Sequence, residues 1–189
     1  MYQFCVSGAA KGDSVDEGRA LANAAGLALA KAGYTLMTGA TIGLPNYAAI
    51  AYKAAGGPMS VGISPASSKI EHVLKYRLPT DNYDTILYTG LHYVGRDSLL
   101  VNSSDAVISI GGRLGTLHEF TIAMETDTPI GFLRGAGGIS EEIMHILQAA
   151  GEQRTKLVLF EDHAEVLVQK LTRLLNDINK PYRQLYKAQ

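Results

Sequence analysis

Residues 111–119 bring together residue types that can bind an anion and carry out acid–base chemistry. The stretch reads Gly-Gly-Arg-Leu-Gly-Thr-Leu-His-Glu and directly follows an apolar run. Glycines allow backbone N–H groups to approach a phosphate, and the start of a following helix adds a favourable dipole. An arginine can bind phosphate through two parallel hydrogen bonds, and a threonine adds a hydroxyl donor. The stretch therefore predicts a phosphate-binding loop formed by Gly111, Gly112, Arg113, Gly115 and Thr116.

Two charged residues are candidates for chemistry beside this phosphate. Glu119 follows Thr116 by three positions, so both side chains project from one face of a helix. Arg96 opens an earlier predicted helix, where its positive charge opposes the helix dipole and indicates an anionic partner: a ligand phosphate, Glu119 or Asp97. We predict that Glu119 and Arg96 are the catalytic residues. The alternatives are that Glu119 only stabilises its helix and that Arg96 forms a structural salt bridge.

Two further loops that contain glycine also follow predicted strands. Residues 7–12 and 38–45 each lead into a helix, so each can bind an anion or form a plain strand-to-helix turn. The first loop lacks a complete G-x-G-x-x-G pattern, and the chain contains no G-K-[ST] sequence of a P-loop. The candidate phosphate-binding or nucleotide-binding residues in these loops are Gly8, Thr38, Gly39, Thr41 and Gly43.

The remaining reactive residue types predict no further site. The five histidines show no spacing typical of metal ligands, so we expect neither a metal nor a bound cofactor. Cys5, the single cysteine, lies in an apolar run and is expected to be a core residue. His118 is expected to be exposed, and His92 to lie in a loop.

Composition limits the class of protein. The chain has 189 residues, of which 47% are hydrophobic and 19% charged, and this fits a single domain over residues 1–189. Its net charge of −1 argues against nucleic acid as a partner, because binding a nucleic-acid backbone requires a basic surface. No signal peptide and no apolar run of membrane-spanning length is visible, so we expect a cytoplasmic protein without a membrane partner.

The elements that must position these residues alternate between strand and helix. The fold class predicted is α/β, with a doubly wound, mainly parallel sheet of about six or seven strands flanked by helices, as in a Rossmann fold. The loops after parallel strands meet at one sheet edge, where such folds bind ligands. Residues 181–189 are predicted to be a docking arm or a frayed tail. Strands are predicted at 2–7, 34–38, 59–63, 85–89, 106–110, 130–133 and 157–160. Helices are predicted at 13–32, 45–55, 95–103, 116–126, 140–150 and 164–179, with an irregular segment at 64–84.

Over roughly residues 1–160 the chain resembles the LOG-like branch of Rossmann folds. That group contains the LONELY GUY phosphoribohydrolases, once described as lysine decarboxylases, the molybdenum cofactor carrier proteins and the nucleotide-sensing SLOG domains. The family motif G-G-x-G-T-x-x-E falls on Gly112, Gly115, Thr116 and Glu119, and the family arginine falls on Arg96. The family S-D-A matches residues 104–106, and its second β–α unit matches residues 38–39 and 54–57.

The chain departs from the phosphoribohydrolase pattern at three of these positions. Arg113 replaces the second glycine of the motif, and it can either crowd the loop or add a second phosphate ligand. Gly111 replaces a proline, and Asp97 replaces the lysine that follows the family arginine. Loss of this lysine weakens the expectation of a cytokinin-type activity.

The resemblance implies two functions of different kinds. The first is hydrolysis of the N-glycosidic bond of a nucleoside 5′-monophosphate, with Glu119 stabilising the positive charge on the ribose or positioning water. The second is non-catalytic: a carrier or sensor of a small phosphorylated ligand. A carboxylate beside a bound phosphate is repulsive, and this cost slightly favours catalysis. The resemblance also implies a homo-oligomer, at least a dimer.

Overall fold

The computed structural model describes residues 1–151 and 155–187, which form seven strands and six α-helices. Strands and α-helices alternate along the chain except between β3 and β4, which no α-helix separates. The strands are β1 (Gln3–Gly8), β2 (Thr35–Thr38), β3 (Ser60–Ser64), β4 (Thr85–Tyr88), β5 (Ala106–Ile110), β6 (Ile130–Leu133) and β7 (Val158–Glu161). The helices are α1 (Asp13–Lys31), α2 (Leu44–Ala54), α3 (His92–Asn102), α4 (Leu114–Glu125), α5 (Ile143–Ala150) and α6 (Ala164–Lys187). Each predicted strand is present, with ends that differ by no more than one residue.

The sheet confirms the predicted fold class. All its neighbouring strands pair in parallel, in the order β4-β3-β2-β1-β5-β6-β7. The chain builds outward from β1 to β4 and then returns to place β5 on the other side of β1. The crossovers therefore diverge between β1 and β5, and this switch point is where ligands bind in open α/β sheets. The loops after β1, β2 and β5 all border this crevice.

Helices cover both faces of the sheet and form two hydrophobic cores. The first core lies between the sheet and α1, α2 and α6, and it contains Phe4 and Val6 of β1. The second core lies between the sheet and α3, α4 and α5, and it contains Cys5. This alternation along β1 follows from the two-residue period of a strand. Cys5 is fully buried, as predicted for a core residue, and burial raises the pKa of its thiol well above the ordinary value.

Four regions differ by three or more residues from the predicted boundaries. Helix α5 begins at Ile143, three residues after the predicted start at Ser140, because a 3-10 turn occupies Gly138–Glu141. Helix α3 begins at His92, three residues before the predicted start at Gly95, so Arg96 lies inside the first turns of the helix and not at its N-terminus. Arg96 is therefore not at the helix end that the dipole argument assumed, but it does have the anionic partners predicted for it, Asp97 and Glu119. The predicted irregular segment contains a π-helical turn at Glu71–Lys75. Helix α6 continues through Pro181 to Lys187, although proline costs about 3 kcal/mol inside a helix.

Residues 181–187 continue α6, and a docking role for this end of the helix stays a prediction. Good helix formers follow the proline and offset part of its cost. Residues 188–189 lie outside the described residues. Among the helices that the structure describes, none combines the length and the apolar character needed to cross a bilayer.

Candidate functional site

A cavity of about 210 Å³ lies at the carboxyl edge of the sheet, at the switch point between β1 and β5. Its walls come from the loops after β1, β2 and β5 and from α3 and α4. The predicted site residues that line it are Gly8, Gly39, Thr41, Arg96, Arg113, Gly115, Thr116 and Glu119. Four segments that are far apart in the sequence therefore meet in one pocket.

The predicted residues Thr38, Gly43, Gly111 and Gly112 do not line this cavity but support its loops. The Thr38 hydroxyl is fully buried, 2.8 Å from the Tyr83 hydroxyl, and accepts a hydrogen bond from the N–H of Ala40 at 3.0 Å. A side chain at Gly43 would meet the carbonyl oxygen of Ala9 at 2.4 Å. The loops after β1 and β2 therefore pack directly against each other. Gly111 packs beside Ala136 in a similar way.

Helix α4 presents its N-terminus to the cavity. Gly112, just before the helix, has a φ of 95°, and a Cβ there would lie 2.0 Å from the hydroxyl oxygen of Thr116. A Cβ at Gly115 would meet nothing within 4 Å, so this helical residue leaves open space beside the backbone. No side chain of the described residues caps the helix. The first N–H groups of α4 are consequently suited to bind an anion.

Arg113, at the N-cap of α4, is exposed and lines the cavity. Two alternatives were predicted for Arg113: that it crowds the loop, or that it adds a second phosphate ligand. Its position supports the second alternative, because the side chain lies at the rim and does not fill the loop. The charge lies beside the helix terminus, where a phosphate would meet both.

Arg96, on α3, also lines the cavity and packs against the loop after β2. It is 5% exposed, and a Cβ at Gly39 would lie 2.0 Å from its Nη1 atom. Gly39 thus makes room for the guanidinium group. The Nε atom of Arg96 has no hydrogen-bond partner among the described residues, and such a buried donor costs about 1–3 kcal/mol. A ligand that accepts this hydrogen bond would remove the cost.

Arg96 belongs to a buried charge cluster, which we define as Ser7, Arg96, Asp97, Glu119 and His118. Nη1 of Arg96 is 3.4 Å from Oδ1 of Asp97 and 3.6 Å from Oε1 of Glu119. The Ser7 hydroxyl donates a hydrogen bond to Oε2 of Glu119. Nδ1 of His118 is 2.9 Å from Oδ2 of Asp97. Polar contacts therefore run without a break from the base of the cavity to the surface of α4.

Burial raises the pKa of Glu119 to about 7. The charge of Arg96 and the hydrogen bond from Ser7 lower this pKa, whereas the charge of Asp97 raises it. Desolvation is the largest effect, because the carboxylate loses its hydration in a site where the side chain is only 10% exposed. Glu119 can therefore hold or release a proton near neutral pH, as an acid–base group must.

Sequence reasoning missed two members of this site. Asp97 is one of the anionic partners predicted for Arg96, whereas Ser7 was not singled out within its loop. Tyr93 lines the cavity and precedes Arg96 by three residues, a helical spacing that could have revealed it. His118, which was expected to be exposed, is partly exposed: 36% of its side chain is accessible, and its Nδ1 contacts Asp97.

No group of three or more histidine, cysteine, aspartate or glutamate residues in the described part of the chain is arranged to hold a metal ion. His92 is the first residue of α3 and not part of a loop, and its Nδ1 lies 2.7 Å from the hydroxyl of Tyr76.

Comparison with known proteins places the chain in a family. The sequence model of the SLOG cluster4 family matches residues 1–168. An uncharacterised protein of Archaeoglobus fulgidus is 31% identical over 134 residues, which cover 71% of this chain and 81% of that protein. The crystal structure of TM1055, a structural genomics target, has a TM-score of 0.78 and 28% identity and covers 92% of this chain and 99% of its own. The molybdenum cofactor carrier protein of Chlamydomonas reinhardtii has a TM-score of 0.73 and 25% identity and covers 92% and 98% of the two chains. The chain therefore belongs to the SLOG cluster4 family, within the LOG-like group that its motifs resemble.

Proposed function

We propose that this protein binds a small phosphorylated ligand in the cavity between β1 and β5 and acts as a carrier or sensor of that ligand. The observation that carries the proposal is the uncapped N-terminus of α4, which opens onto a cavity that Arg96 and Arg113 also line. A phosphate carries a charge of about −1.5 to −2 at neutral pH, and this site offers it both a helix dipole and two cations.

The phosphate would lie beside Gly115 and Thr116. The open space at Gly115 lets an oxygen approach the backbone, and Arg113 can close over the phosphate from the rim. Thr41, on the loop after β2, lines the facing side of the cavity and can donate a further hydrogen bond.

The state of Glu119 favours a carrier or sensor over a hydrolase. One of its carboxyl oxygens accepts a hydrogen bond from Ser7, and the other lies 3.6 Å from Nη1 of Arg96, so the protein holds the carboxyl group in place without a ligand. With a pKa near 7 the group is in part neutral, and this reduces its repulsion of a nearby phosphate. The likeness to a molybdenum cofactor carrier protein supports the same function.

Hydrolysis of a nucleoside 5′-monophosphate is the second candidate, and the position of Glu119 on the cavity wall favours it. Water would add to C1′ of the ribose while the bond from C1′ to the base breaks, and the base would leave with a proton. Glu119 as carboxylate would stabilise the positive ribose or accept a proton from the water. Arg96 would hold Glu119 in place.

We also propose that the chain is one domain over residues 1–189 and functions as a homo-oligomer. Val94 and Leu114, on the neighbouring helices α3 and α4, are 70% and 78% exposed, and another copy could cover them. Sedimentation equilibrium would measure the assembly, and a monomer at all concentrations would contradict this part of the proposal.

Titration calorimetry with ribose 5-phosphate tests the phosphate site. Replacing Arg113 with alanine removes a charged hydrogen bond worth about 1.5–3 kcal/mol, so we expect binding to weaken by about 10-fold to 100-fold. Arg173, exposed on α6 at the opposite face of the sheet, provides the matched control: Arg173→Ala removes the same charge and should leave affinity unchanged. Equal affinities for the wild type and Arg113→Ala would contradict the proposed site.

Chromatography separates the two candidate functions. Incubation with nucleoside 5′-monophosphates should release no base if the protein is a carrier or sensor. Base released by the wild type and not by Glu119→Gln, with binding retained in the variant, would instead establish the hydrolase.

A further inference from the structure

Tyr93 is an aromatic residue of the cavity wall that the phosphate site does not use. Its side chain is part of the lining, yet 46% of the residue is exposed at the mouth. The Arg96 guanidinium carbon lies 5.9 Å from the centre of the Tyr93 ring. Arg96 follows Tyr93 by three residues, so the same face of α3 carries both towards the cavity.

The side chain of Tyr76 contacts the Tyr93 ring. The ring of Tyr76 packs edge-on against Tyr93, with centroids 5.6 Å apart and planes at 78°. The Tyr76 hydroxyl is 2.7 Å from Nδ1 of His92, the residue just before Tyr93. This perpendicular contact restrains the ring, and the exposed part of Tyr93 is the surface on which another planar group can stack.

The backbone at His92 is strained, and its neighbours maintain that strain. His92 has a φ of 56°, a value that residues with a side chain rarely adopt and that commonly marks functional positions. Its N–H donates to the carbonyl of Pro65 at 3.0 Å, and the N–H of Gly90 donates to the carbonyl of Ala66 at 2.9 Å. The segment after β3 therefore fixes where α3 begins and, with it, where Tyr93 lies.

The cavity is large enough to enclose only part of a ligand. Pockets that enclose a drug-sized ligand measure about 300–1,000 Å³, and the cavity here is smaller, at about 210 Å³. A ligand that fills it with a phosphate and its attached sugar or chain would therefore extend any ring to the mouth. The exposed part of Tyr93 lies at that place.

We propose that Tyr93 is a stacking platform for a planar ring carried by the phosphorylated ligand. This inference rests on the proposed function and adds the residue that contacts the ring. Stacking of a base on an aromatic side chain should strengthen binding by about tenfold.

The first test compares ligands with and without a ring on the wild-type protein. Calorimetry would measure the affinities of guanosine 5′-monophosphate, adenosine 5′-monophosphate and ribose 5-phosphate. We expect at least one nucleotide to bind about tenfold more tightly than ribose 5-phosphate. If ribose 5-phosphate binds and neither nucleotide binds more tightly, only the ring platform is overturned. If none of the three binds, the proposed function falls, and the platform falls with it.

Variants then assign the difference to Tyr93. Tyr93→Leu should weaken nucleotide binding about tenfold and leave ribose 5-phosphate binding unchanged, whereas Tyr93→Phe should keep both affinities. Tyr182 is also exposed but lies on α6, so Tyr182→Leu is the matched control and should change neither affinity. An equal loss for both ligands in Tyr93→Leu would show that Tyr93 only supports Arg96, and no loss for either would place the ring elsewhere. Both results would overturn the proposal.

A fluorescent variant gives a measurement that does not depend on affinity. The chain contains no tryptophan, so Tyr93→Trp introduces a single one at the mouth of the cavity. Its emission should be quenched by saturating nucleotide and not by saturating ribose 5-phosphate, while Tyr182→Trp should respond to neither. Equal responses to both ligands at position 93 would contradict stacking.

Discussion

Two buried polar networks lie at the same edge of the sheet, and they differ in how completely their members are paired. The first, the His72 network, consists of Ser64, His72 and Pro79. Nδ1 of His72 is 2.8 Å from the Ser64 hydroxyl oxygen, and Nε2 is 3.0 Å from the carbonyl oxygen of Pro79. A carbonyl only accepts, so Nε2 carries a proton, and Nδ1 pairs with the Ser64 hydroxyl. Both ring nitrogens are paired, and the ring is fully buried.

The buried charge cluster is paired less completely. Its contacts from Arg96 to Asp97 and Glu119 are 3.4 and 3.6 Å long, Nε of Arg96 has no partner among the described residues, and the pKa of Glu119 rises to about 7. It also borders a cavity, which the His72 network does not. The comparison indicates that a network whose polar groups are all paired stabilises the fold, whereas a polar cluster with an unpaired donor is available for a ligand.

Replacing Arg96 with methionine should have the largest effect. It leaves Asp97 and Glu119 as two buried carboxyl groups without their cation, and loss of one partner of a buried pair costs about 3–5 kcal/mol. We expect a loss of that order in the free energy of unfolding, measured in urea, and no measurable binding of ribose 5-phosphate. The control is Arg134→Met, which breaks an exposed pair with Asp162 and should cost less than about 1 kcal/mol. Similar losses in both variants would contradict the special role of the charge cluster.

The pH dependence of stability should reveal Glu119. Its pKa is raised in the folded state, so between pH 4.5 and about 7 the folded protein binds more protons than the unfolded chain. The contribution to stability is complete below pH 4.5 and is lost as the pH rises to about 7, by about 3 kcal/mol in total. Urea unfolding across this range should show the decline in the wild type, and Glu119→Gln should remove it. Parallel curves for the two proteins would show that Glu119 does not titrate in this way.

Replacing His72 with leucine should separate stability from binding. The change leaves the Ser64 hydroxyl and the Pro79 carbonyl without the partner that His72 supplies, at a cost of about 1–3 kcal/mol. Thermal unfolding should shift downward, while ribose 5-phosphate binding, measured well below the unfolding midpoint, should stay unchanged. Loss of binding in a folded variant would mean that the two networks are coupled.

The smallest effect is expected at Asp97. Asp97→Asn removes a negative charge that raises the pKa of Glu119, so the pH range over which stability declines should move downward. The difference in unfolding free energy between this variant and the wild type, followed against pH, measures the shift. Asp162→Asn, at an exposed ion pair, serves as the control and should leave the range in place. An unmoved range in Asp97→Asn would show that Asp97 does not act on Glu119.

The sequence by itself determined three features: the sheet, the alternation of strand and helix that makes the sheet parallel, and the loop at residues 111–119. These features are local: strand and helix periods are read from neighbouring residues, and Thr116 and Glu119 share a helix face because three residues separate them. The same reasoning brought Arg96 and Glu119 to one edge, because loops after parallel strands meet there.

Only the tertiary structure decided which polar groups touch. Met37 and Thr38 are neighbours on β2, so their side chains point to opposite faces of the sheet. The fold places Met37 in the second core, and the Thr38 side chain points away from the cavity. The contact of Asp97 with His118 joins two helices, and the start of α3 depends on hydrogen bonds from the segment after β3. The spacing of residues within one segment does not predict such contacts, because their geometry depends on how separate elements pack.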